Sequence, residues 1–183
     1  SRHHPALPLY SAADASRAID LLRAVPMDAD TGAGGGASFR FVPAGHIPGA
    51  ASVWLRMDGV TLAFSGDLGR AHDPTLPPPR TDGPADYVVV ESTYGDRLHP
   101  PTDPEDELAE VVQRTVSRGG VVLIPAFAVG RAHAVIHHLY RLRRAGRIPD
   151  VPVYLDSPMA AEAMRVLARH PESLRLSRDE AKA

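Results

Sequence analysis

The sequence has no cysteine, so disulfides and thiolate metal ligands are excluded, and any metal must be held by His, Asp or Glu. Lysine is almost as scarce: Lys182 is the only one, and the other nineteen basic residues are arginine. Alongside the abundance of alanine, that bias reads as GC-rich coding before it reads as function. The formal net charge is -2, so no overall basic field advertises a nucleic-acid partner. No apolar run approaches the ~20 residues that span a bilayer, and the N-terminus lacks a secretory apolar segment. A soluble cytoplasmic protein without a membrane partner is expected. A length of 183 residues suffices for one domain with a substantial core, or for parts of two.

What is present divides the chain near residue 100. Ser11 and Asp14 suit the start of a helix with Ala15, Ala18, Ile19 and Leu22 on one face and Pro26 as its end. Residues 28–38 are small and Gly-rich and read as a loop without chemistry. Residues 72–84 carry five prolines and read as an irregular surface excursion. The apolar run at 86–91 has the look of a central strand covered on both faces. After Asp103 and Pro104, which suit a helix cap and first turn, the pattern becomes helix to about 118, strand at 121–125, helix at about 130–145, strand at 153–155 and helix from Pro158 toward His170. That alternation predicts a parallel sheet with helices on its faces, an α/β class.

The most informative region is a hairpin. Residues 52–57 and 60–64 read as strands, and Asp58-Gly59 is the pair that a two-residue turn prefers, placing Met57 opposite Val60. His46 and Asp67 therefore arrive at the same open end, each among glycines that let the backbone bend sharply. An imidazole and a carboxylate brought together on loops are what a zinc ion, or a pair of them, needs. Taken singly, each is a turn residue by default.

Five segments occur in order: PAGHIPGAAS at 43–52, FSGDLGR at 64–70, ESTYGDR at 91–97, IPAFAVGRA at 124–132 and YLDSPMA at 154–160. Together they make the chain resemble the β-CASP branch of the metallo-β-lactamase superfamily, whose members cut RNA or DNA. The resemblance implies part of a metallo-β-lactamase αββα fold over 1–100, followed by the first part of an inserted β-CASP parallel-sheet domain over 101–183. It implies that His46 binds one of two Zn2+ ions, that Asp67 bridges them, and that Glu91 orients a histidine acting as general acid. The wording of the motifs favours RNA processing, with RNA as partner; homodimers are common in the family.

The family's His-x-His-x-Asp-His ligand run is absent, and His3-His4 have neither its spacing nor its partners. Two later histidines of the family site are also missing, which suggests a piece of a longer zinc-dependent ribonuclease. The alternative is a non-catalytic RNA-binding or scaffold member; a hydrolase of small esters is a more remote third.

Beyond that shell, Arg131 and Ser157 stand where a strand gives way to a helix, positions at which helix N-terminal amides and a guanidinium can hold a backbone phosphate. Ser157 also suits a plain cap. Arg141, Arg143, Arg144 and Arg147 read as a solvated helix end rather than an RNA-binding face, and His133, His137 and His138 as packing or surface residues.

Overall fold

The computed structural model describes residues 8–98 and 101–176. His3, His4 and the expected division near residue 100 lie outside them. The first half is built on five strands, β1 (Thr31–Gly34), β2 (Ala37–Pro43), β3 (Ala51–Met57), β4 (Val60–Phe64) and β5 (Tyr87–Val89), in the order in which they occur in the sequence. The first four run antiparallel, and β5 pairs with β4 in parallel. Helix α1 (Ala12–Asp20) precedes them; α2 (Pro104–Val116), α3 (Arg131–Arg144), α4 (Pro158–Arg169) and a 3-10 turn (Pro171–Ser173) follow. The class is α/β, as expected.

The hairpin forms as its turn residues dictate: Met57 pairs with Val60, and Asp58 and Gly59 both take positive φ, 51° and 79°. One face of β2, β3 and β4 buries Val42, Ser52, Trp54 and Ala63. The proline-rich stretch, in which Thr75 and Leu76 are buried, joins the sheet where Arg80 N–H donates to Pro43 O at 3.0 Å, and Ala85 packs against the buried cluster. Asp82 pins the stretch further by pairing with Arg40 (2.9 Å) and Arg56, which are both also paired to Asp30. A second core joins α2 and α3 through Ala109, Val112, Leu142 and Ile148.

Several expectations are corrected. The Gly-rich stretch is no mere loop: it makes β1 and the turn into β2, with Gly34, Gly35 and Gly36 all at positive φ. The first helix ends at Asp20, well before Pro26, and buries none of its residues. The run at 86–91 yields a short edge strand, exposed on both faces, because among the described residues nothing packs on it beyond β4. Residues 121–125 and 153–155 form no ladder; Val121 and Leu123 are 81% and 87% exposed. Strand formation needs a neighbour to bond with, and among the described residues these apolar runs have none. Among the described residues no ladder joins these runs into a sheet, while the α/β class of the chain stands. The helices match closely, with Asp103 accepting from the Glu105 N–H and Pro104 opening α2.

Candidate active site

His46 and Asp67 stand on two loops at the open end of the β3–β4 hairpin. The first closes on itself: Ala44 N–H donates to Ala50 O (2.9 Å) and Ala50 N–H to Ile47 O (3.0 Å). Gly69 N–H of the second loop donates across to Ala44 O at 2.8 Å. At this crossing a Cβ on Gly69 would lie 1.7 Å from the Gly45 carbonyl oxygen, and one on Gly45 would lie 2.6 Å from the Pro77 carbonyl oxygen. Only glycine permits such an approach. The loops are thus joined backbone to backbone.

The consequence is that His46 Nε2 lies 3.9 Å from Asp67 Oδ2, with the side chains 45% and 76% exposed. An ion pair so exposed stabilises little, so it is the backbone that holds the loops together and the side chains are presented outward. The separation does not exceed the sum of two zinc–ligand bonds, about 4.1 Å, so one cation can touch both atoms. This donor set fits a metal but is incomplete: among the described residues no group of three His, Asp or Glu side chains could hold an ion.

Glu91 follows β5 and joins the same loops. One of its carboxylate oxygens accepts from Leu68 N–H and the other from Thr93 Oγ1, both at 2.7 Å, and its own N–H donates to Ser65 Oγ at 3.0 Å. Ser52, buried at the base of the hairpin, donates its hydroxyl to Ser65 O at 2.8 Å. The Thr93 hydroxyl above all, then the Leu68 amide and the nearby His46, hold the Glu91 carboxyl below its ordinary range. It is therefore an ionised anchor for the backbone beside Asp67. Sequence reasoning missed Ser65, Thr93 and the Gly45–Gly69 crossing; the glycines next to His46 and two residues after Asp67 were the available signal.

The second half reaches this site through Gly130, at φ +80°, where an added Cβ would lie 2.8 Å from Ile47 Cγ2. The start of α3 thus abuts the residue that follows His46. Arg131 N–H and Ala132 N–H donate to Val129 O (3.1 Å) and Phe127 O (3.0 Å), so these amides are already engaged, leaving the exposed guanidinium as the group able to meet a phosphate. Arg131 makes no ion pair among the described residues. Ser157 caps α4, its Oγ accepting from Ala160 N–H at 3.2 Å. No hydrogen bond or ion pair among the described residues joins Arg131 or Ser157 to His46, Asp67 or Glu91.

The other basic and imidazole groups of α3 are largely occupied within the protein. Arg143 pairs with Asp150 (2.7 Å), Arg147 with Asp106 (2.5 Å) and Arg141 with Glu105 (3.3 Å). His138 lies 3.0 Å from the same Glu105, a carboxylate that its local sequence did not reveal, and His137 is buried. Burial, and then the proximity of His137, lower the pKa of His133.

Residues 132–182 match the Beta-Casp domain family. The chain is 44% identical over 150 residues to "Ribonuclease TTHA0252" of Thermus thermophilus, an alignment covering 81% of the chain and 34% of that relative. It is 33% identical over 171 residues to "Endoribonuclease YSH1" of Eremothecium gossypii, covering 86% of the chain and 21% of the relative. With "Transcription termination factor FttA" of Methanosarcina mazei it shares 42% identity over 144 residues, covering 73% of the chain and 22% of the relative. The chain therefore spans between a fifth and about a third of the length of these relatives. The chain thus carries a match to the Beta-Casp domain over residues 132–182 and is similar over most of its own length to proteins named as ribonucleases and as a transcription termination factor.

Proposed function

We propose that this chain is part of a zinc-dependent ribonuclease that hydrolyses RNA phosphodiester bonds, and that His46 and Asp67 belong to its metal shell. The observation that carries the reading is the 3.9 Å approach of His46 Nε2 to Asp67 Oδ2 on loops joined through glycine backbone. Two relatives named as ribonucleases supply the direction of the chemistry.

His46 offers Nε2 and Asp67 a carboxylate oxygen, both facing solvent where a polymer can reach them. The chemistry that zinc supplies when bound is a water acidified to a pKa of about 7 and positive charge at the phosphoryl oxygens. Glu91 fixes the Asp67 loop by accepting from Leu68 N–H, so the Asp67 carboxylate would be held at a set position toward the metal. Arg131, at the start of α3 beside the His46 loop, contacts an adjacent backbone phosphate. Ser157 keeps its hydroxyl proton for a similar contact while its lone pair caps α4.

The test uses the longer protein that carries this segment. Asp67→Asn abolishes cleavage of a single-stranded RNA while RNA binding, measured separately, stays within about threefold of wild type, because the ligand charge is removed without altering the groove. Cleavage within tenfold of wild type contradicts the assignment. A scaffold member of the family gives no cleavage in the unmutated protein either.

A further inference from the structure

A cavity of about 370 Å³, with none of His46, Asp67 and Glu91 in its lining, lies between the proline-rich stretch, α3 and the segment after the 3-10 turn. His72, Asp73, His137, Arg141, Arg175 and Leu176 line it. The segment is fastened there by Arg175 N–H donating to Thr75 O at 2.9 Å. The Arg175 guanidinium donates to the Asp73 backbone oxygen at 3.3 Å and makes no ion pair among the described residues. Arg141 is steadied through Nε, 3.3 Å from Glu105 Oε1, an acid that also faces His138. The Asp73 carboxylate is turned to its own loop: its Oδ1 accepts from Thr75 N–H, Thr75 Oγ1 and Leu76 N–H, each at 2.8 Å.

The lining carries Arg141, Arg175 and Asp73; Glu105 balances Arg141, so Arg175 is the guanidinium of this lining with no carboxylate partner among the described residues. Such a lining, being polar, does not suit an apolar ligand. A guanidinium pair suits a phosphoryl group, whose oxygens take parallel N–H bonds. The volume exceeds what phosphate alone fills and falls in the range of small-ligand pockets. His72 and Leu176 add the ring and aliphatic surface on which a base stacks. His137 and Arg141 lie about 9 and 15 Å along the α3 axis from Arg131, so the pocket is a separate station on the helix that starts beside His46.

We propose that this cavity binds a phosphoryl group carried by a nucleotide. The inference rests on the ribonuclease reading only for its choice of a nucleotide as the carrier. Titration of the chain, without metal, uses four probes: AMP for a terminal monoester, the dinucleotide ApA for an internal diester, adenosine and inorganic phosphate. AMP or ApA binds at least tenfold more tightly than adenosine or phosphate, and whichever of the two binds tells an RNA end from a passing backbone. Arg175→Ala weakens that binding at least tenfold, and Arg141→Gln serves as the second variant, each first shown to melt like wild type. Binding unchanged in both variants, phosphate as tight as either nucleotide, or no binding by any probe overturns the inference. No cleavage or metal is read, so failure here leaves the metal-site reading standing, and failure of that reading leaves this result interpretable.

Discussion

At the scale of single residues, the site depends on two glycines and on the Glu91 carboxylate, which hold its loops together. Gly69→Ala places a methyl group inside the Gly45 carbonyl, so the loops must part. The variant is expected to melt at a lower temperature and to lose the cation affinity that depends on His46 and Asp67; Gly32→Ala, where an added methyl meets nothing, serves as control. Glu91→Gln weakens the hold on the Asp67 loop, and hydrogen exchange at the Leu68 amide is expected to speed up; unchanged exchange contradicts the anchoring role. Arg131→Ala in the longer protein should weaken RNA binding by roughly 1–3 kcal/mol and make its salt dependence shallower by about one phosphate, without altering sequence preference. An unchanged salt slope removes Arg131 from the phosphate contacts.

At the scale of elements, the reading of the chain succeeded where local chemistry decides the structure. Asp58-Gly59 specifies its turn, Asp103-Pro104 specifies a helix start, and the two loops at the hairpin's end follow from that register. It failed where structure depends on partners. Residues 121–125 and 153–155 carry strand-like composition, yet no neighbour among the described residues turns them into a ladder. Residues 28–38 were misread because a glycine run signals flexibility by composition, whereas three positive-φ glycines in a row build a hairpin turn. The Glu91 contacts to Leu68 and Thr93 join segments far apart in the chain or depend on a rotamer, and neither leaves a periodic trace. The Arg40–Asp82–Arg56–Asp30 ring is likewise non-local. Asp82→Asn loosens both arginines from the proline-rich stretch and is expected to lower stability by about 1 kcal/mol or more, seen by urea unfolding. Asp30→Asn, at a more exposed position, should cost less.

At the scale of the whole molecule, acid acts on several groups in one direction. Hydrogen bonds from Arg56, then Arg40, hold the Asp82 carboxyl below its ordinary value, as Thr93 and Leu68 do for Glu91. Each contributes stability that is complete above the ordinary carboxylate range and is lost as pH falls through the lowered folded value. His133 is held neutral by burial, so the unfolded chain takes up its proton first, and stability begins to fall as pH drops through the ordinary value of 6.5. The melting temperature should therefore decline steadily from neutral to acid pH, and His133→Leu should flatten the upper part of that decline. An unchanged slope near the histidine range would remove His133 from this account. Among the described residues no helix is long and apolar enough to cross a membrane. The most direct measurement is zinc titration of the chain after chelator washing. The account predicts fewer than two tightly held ions per chain, and weak binding that falls at least tenfold in both His46→Ala and Asp67→Ala. Two tight ions, or binding indifferent to these substitutions, would contradict it.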